Sequence, residues 1–87
     1  MRYRVLFQPS AARQLRRLPT DVQRRIIARA EALAVDPRPE GCEKLKGSED
    51  IWRARVGGYR LLCQIRDKVL RVLVVRVGHR RDVYRGG

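Results

Sequence analysis

The chain has 87 residues, which makes one domain near the lower size limit for an unaided core. Hydrophobic residues make up 44%, which excludes a disordered basic tail. The formal net charge of +12 implies a polyanionic partner, nucleic acid first among them. It also implies self-repulsion, which an acidic partner protein would relieve. Of the 21 basic residues only Lys44, Lys46 and Lys68 are lysine. Solubility alone does not need that arginine bias, although a GC-rich genome also produces one.

Tyr3, Val5 and Phe7 alternate with Arg2, Arg4 and Leu6, so residues 2–8 read as a strand. Pro9-Ser10 ends it, and Ser10 is placed to cap a short helix over 10–18. Pro19 stops that helix. Thr20-Asp21-Val22-Gln23 has the form of a capping box opening a second helix. Val22, Ile26, Ala30 and Leu33 recur at helical spacing as its buried stripe. The prolines and glycine of 36–41 mark a loop. From Ile51 onward a meander is predicted over 51–56, 59–65 and 69–77, turning at Gly57-Gly58 and at Asp67-Lys68. The Asp67-Lys68 turn leaves the faces of the last strand unassigned. The tail, 78–84, is expected to leave the sheet.

These elements predict an α+β domain in the order β-α-α-β-β-β. Two N-terminal helices pack on one face of a mainly antiparallel, roughly four-stranded sheet. No stretch approaches a membrane span, and residues 1–7 lack the apolar run of a signal peptide, so cytoplasm is the expected compartment. Cys63 falls on the apolar face of its strand and reads as a buried thiol. With Cys42 the only other cysteine, no disulfide framework is expected.

The segment Arg53-Ala54-Arg55-Val56-Gly57-Gly58-Tyr59-Arg60 is the most informative. A two-residue turn at the glycines sets Val56 opposite Tyr59 and Arg55 opposite Arg60. Period-2 alternation then points Arg53, Arg55 and Arg60 to one side, and Trp52, Ala54, Val56, Leu61 and Cys63 to the other. The helices need the second side, so the arginines face outward. Like charges directly opposite one another destabilise a sheet. An anion is the natural beneficiary, and phosphate matches a guanidinium fork. The bland alternative is a solvated face whose arginine stems shield apolar surface.

Two further constellations carry possible chemistry. His79-Arg80-Arg81-Asp82-Val83-Tyr84 combines the only histidine with two arginines and a tyrosine. Histidine titrates near neutral pH, arginine neutralises transition-state charge, and tyrosine stacks on a base. A structural histidine and a packing tyrosine are the ordinary alternatives. Lys44-Leu45-Lys46-Gly47 adds phosphate contacts or is a solvated loop. One histidine and two separated cysteines make no metal-ligand set, and neither a metal nor a cofactor is expected. RNA cleavage by the substrate's own 2′-hydroxyl needs only orientation, charge neutralisation and proton transfer. Composition and spacing alone stop at a basic, RNA-binding domain with acid/base groups in its tail.

At these residues the chain resembles the RelE/ParE superfamily of toxin–antitoxin toxins. The likeness runs through Leu15-Arg16-Arg17-Leu18-Pro19, Asp36-Pro37, Lys44-Leu45-Lys46-Gly47, Arg53 to Leu62, and Val77 to Tyr84. It implies a single toxin domain over 1–87 that enters the ribosomal A site and cuts mRNA. It further implies restraint by a cognate antitoxin with an acidic or amphipathic segment, through which the complex binds its own operator DNA. By position, Arg60 matches the arginine that stabilises the scissile phosphate, Arg80 the tail arginine that stabilises charge or acts as acid, and Tyr84 the tyrosine that orients the base. Arg53, Arg55, Lys44, Lys46, His79 and Arg81 would bind phosphates. Arg53 and Arg55 stand where well-known members carry lysines. An arginine keeps its proton at neutral pH, so neither serves as general base. Base duty then passes to Tyr84 or His79, or activity is weak. The ParE branch, which poisons DNA gyrase, and a non-catalytic nucleic-acid-binding module of the same fold remain open alternatives.

Overall fold

The structure is a computed structural model and describes residues 2–79. Strand β1 (Arg4–Phe7) leads into helices α1 (Pro9–Arg16) and α2 (Thr20–Ala32). Strands β2 (Glu43–Lys44), β3 (Ile51–Val56) and β4 (Tyr59–Arg66) follow, then a 3-10 turn (Asp67–Val69) and strand β5 (Arg71–His79). Among the described residues the sheet has five strands in the order β1-β5-β4-β3-β2, and only the β1–β5 pair is parallel. The fifth strand is the two-residue β2, too short to carry an alternation signal in the sequence.

One face of the sheet is covered by the helices. Ala11 and Leu15 of α1, Val22 and Ile26 of α2, and Leu33 meet Ala54, Leu61, Cys63, Ile65, Val72, Val74 and Val77. Each fully buried Leu, Ile or Val in this layer contributes about 1.5–3 kcal/mol, so the layer dominates the stability of so small a domain. The predicted stripe Val22, Ile26, Ala30 and Leu33 is buried along its length.

The predicted caps are not used. Pro9 occupies the first turn of α1, after Gln8, so Ser10 lies within the helix. Pro19 stands at the N-cap of α2 and Thr20 begins the helix, with no side-chain cap bond. Gln23 instead reaches back over the interhelical turn, its Nε2 donating to the carbonyl of Leu18 at 2.7 Å.

The last strand carries the main irregularity. Leu62 pairs with Arg76 and Cys63 with Val74, so Val75 is an extra residue, a β-bulge. Both Val74 and Val77 therefore face the helices although they are three apart. The amide of Val77 donates to Gln14 Oε1 at 2.8 Å, which ties α1 to β5 beside the bulge. Strict alternation from Val74 would have driven Arg76 into the core. The bulge turns it to the helix-free face instead. β5 also runs on through Gly78 and His79, where the tail was expected to have left the sheet.

Candidate nucleic-acid interface

The hairpin forms with the predicted register: Arg55 lies opposite Arg60 and Val56 opposite Tyr59. Of the two turn glycines only Gly57 has a positive φ, +59°. That is the pattern of a type II′ turn, whose twist suits paired strands. A side chain at Gly57 would also meet Arg25 Nη2 of α2 at 2.6 Å, so Arg25 brings another cation to the hairpin tip.

Arg60 is 9% exposed, whereas Arg55 across from it is open to solvent. Arg60 Nη1 donates to the carbonyls of Tyr59 (3.2 Å) and Gly57 (3.4 Å). The turn thus holds the fork in place. A guanidinium keeps its charge at any physiological pH. Gly78 stands opposite Arg60 on β5 and puts no side chain on that face. Arg53 occupies the next same-face position on β3, where Arg53 Nη2 pairs with Glu43 of β2. Arg76 completes the group from β5, one step from Arg60 across Leu62. Arg25 and Arg76 were missed by sequence reasoning. The bulge hid the face of Arg76, and the approach of Arg25 depends on helix–sheet packing.

Other predicted residues do not join the cluster. Lys44 is paired with Trp52, which puts it on the helix-side face, away from Arg53, Arg55 and Arg60. Lys46 sits exposed in the 45–50 loop beyond the edge strand. His79 is paired with Tyr59, with the two rings edge to face at 5.7 Å between centroids. The register therefore puts His79 across the sheet from Arg60, contrary to its expected place beside the phosphate clamp. Arg80, Arg81 and Tyr84 lie outside the described residues. Among the described residues no group of three His, Cys, Asp or Glu side chains is placed to hold a metal ion, and no helix is long and apolar enough to cross a membrane.

The family profile described as ParE toxin of type II toxin-antitoxin system, parDE, matches residues 5–84. The chain belongs to the RelE/ParE superfamily of type II toxins. Toxin RelG of Mycobacterium tuberculosis is 35% identical over 86 residues, covering 98% of this chain and 99% of the relative. Among solved structures, the toxin–antitoxin complex RelBE2 from the same organism superimposes with a TM-score of 0.83 at 32% identity, covering 94% of this chain and 95% of the other. The archaeal RelE–RelB complex from Pyrococcus horikoshii gives 0.82 at 28% identity, covering 94% and 99%. The two-helix, single-sheet architecture of this toxin is thus that of the RelE fold.

Proposed function

We propose that this toxin is a ribosome-dependent endoribonuclease that cuts mRNA in the A site and is held inactive by a cognate antitoxin. The observation that carries the reading is Arg60: a permanently charged fork, nearly buried, held by its own turn between Arg55 and Arg76. Attack of the substrate 2′-hydroxyl on the adjacent phosphorus builds negative charge on the phosphate oxygens. A donor already oriented toward that charge stabilises the transition state more than the ground state. Arg53, Arg55 and Arg76 would grip neighbouring backbone phosphates and align the 2′-oxygen with the scissile bond. None of these arginines accepts the proton. With His79 registered on the other side of the sheet, Tyr84 is left as the proton acceptor or base platform and Arg80 as the second charge stabiliser, both by family resemblance. The toxin–antitoxin complexes to which this chain is similar support an antitoxin partner, and the net charge of +12 suits an acidic segment of one.

A second reading is kept because the matching profile bears the name ParE: inhibition of DNA gyrase without RNA cleavage. Primer extension on ribosome-bound mRNA, run beside a gyrase supercoiling assay, separates the two. A-site cuts with gyrase unaffected support the endoribonuclease. Intact mRNA with inhibited gyrase overturns it.

A further inference from the structure

The helix-free face carries a second row of arginines at the end remote from the hairpin. Arg66 of β4 pairs with Arg71 of β5, and Arg71 pairs with Arg4 of β1. Their neighbours Ile65, Val72 and Val5 pack against the core. Alternation therefore sets all three arginines on the face of Arg55 and Arg60. Like charges are opposed twice in one row, which a sheet does not do for its own stability.

Local structure strengthens the case. Arg66 has a partial counter-charge, its Nε lying 3.2 Å from Asp50 Oδ2. Arg4 and Arg71 have no ion pair among the described residues. Arg71 Nε is buried and makes no hydrogen bond among the described residues. A cavity of about 560 Å³ at this turn is lined by Ile65, Arg66, Asp67, Lys68, Val69 and Arg71. Asp67 does not cancel these cations. Its Oδ1 accepts from Tyr3 (2.6 Å) and Arg38 Nη1 (3.1 Å), and its Oδ2 from Arg38 Nη2 (2.8 Å). Leu70, at a φ of +49°, holds a left-handed conformation that disfavours a side chain, and it sets the chain so that Arg71 enters β5 opposite Arg66.

We propose that Arg4, Arg66, Lys68 and Arg71 form a second phosphate-binding site for single-stranded RNA that runs along the helix-free face from the hairpin. The six-residue step from Arg60 to Arg66 spans about 20 Å, which a strand of several nucleotides covers. Gln64 and Leu73, both partly exposed, lie between the rows and form a floor on which bases can rest while the two ends take phosphates. The proposal rests on reading this face as RNA-binding and does not require cleavage. An acidic protein segment is the competing occupant.

The test is fluorescence anisotropy of the full chain with a labelled single-stranded RNA long enough to cross the face, titrated over salt. The double variant Arg66→Gln/Arg71→Gln should bind about ten-fold more weakly at low salt. Its plot of log affinity against log salt should be shallower by about 1.4, two phosphate contacts at ~0.7 each. Arg66→Lys/Arg71→Lys, which keeps the charges, should retain most of the slope. Unchanged affinity and slope in a folded Gln variant would overturn the site. So would intact RNA binding with lost binding of an acidic antitoxin peptide, which would give the row to a protein. Cleavage is not read in this assay, so a toxin that binds RNA without cutting it bears on the proposed function alone.

Discussion

Arg55 and Arg60 face one another directly across the Gly57-Gly58 turn, on the side of the sheet that the helices leave uncovered. Only Arg60 of the pair is withdrawn from solvent, with its Nη1 on the turn carbonyls. The two charges are therefore unequal. Arg55 is a solvent-exposed cation, whereas Arg60 is oriented by the turn carbonyls. Arg60→Lys keeps the charge and loses the fork. If the toxin is the endoribonuclease proposed above, mRNA cleavage by this variant should fall about 100- to 1,000-fold, the usual cost of losing one oriented donor to a developing oxyanion. Arg55→Lys should lose far less. Primer extension with both variants checks this, and equal losses would deny Arg60 its special place.

The turn itself makes a sharper distinction than its Gly-Gly sequence does. Gly57 occupies the left-handed region, while a Cβ on Gly58 would meet only His79 Nε2 at an ordinary 3.7 Å. Gly57→Ala is therefore strained by about 1 kcal/mol and must also displace the Arg25 guanidinium. Gly58→Ala should be close to neutral. Urea denaturation of the two variants measures the difference, and cleavage should track Gly57 because its carbonyl helps hold Arg60.

Much of this molecule was legible in its sequence, and the failures share a physical form. The stripe Val22, Ile26, Ala30, Leu33 and the 53–60 hairpin obey their periods, and both formed as read. Where an extra residue breaks the period, legibility ends. The Val75 bulge moves Val77 and His79 to the helix side and Arg76 to the open side, and no local signal in Val72-Leu73-Val74-Val75 announces it. The Thr20 capping box failed for a different reason. Pro19, its φ locked near that of the chain entering a helix, took the cap position itself. The face of Lys44 could not be read because a two-residue strand has no alternation.

The two thiols should behave differently toward a thiol reagent. Burial pushes the Cys63 pKa up to about 12, with the nearby Cys42 adding to the rise. The thiolate is the reactive species, so Cys63 should be inert in the folded protein at neutral pH. Cys42 is only half-buried, and burial raises its pKa less. Native labelling should stop at one thiol per chain, with the second appearing only in denaturant. Mass spectrometry of the labelled peptides checks the assignment to Cys42.

The Tyr3–Asp67–Arg38 group predicts a pH profile with a definite sign at each end. Hydrogen bonds from Arg38, then from Tyr3, hold the Asp67 carboxyl below the ordinary carboxylate range. A folded value below the unfolded one means that its contribution is complete above about pH 4 and is lost as pH falls toward the lowered value. Tyr3 moves the other way, raised first by its hydrogen bond to Asp67. Its contribution is complete below about pH 10 and is lost as pH rises through the raised value. Acidification also protonates the other carboxylates and increases the self-repulsion of a chain already at +12, so an acid-induced fall in Tm is not by itself diagnostic. Asp67→Asn separates the effects. It removes the local contribution and leaves the global repulsion, so the gap in Tm between parent and variant should close below the carboxylate range and stay open at neutral pH. The gap for Tyr3→Phe should close as pH rises through the raised Tyr3 value and, because Tyr3 also helps hold Asp67 ionised, narrow on the acid side as well. A parent–variant difference that is flat from acid to neutral pH would show that the Arg38 fork gives Asp67 no electrostatic advantage in the fold.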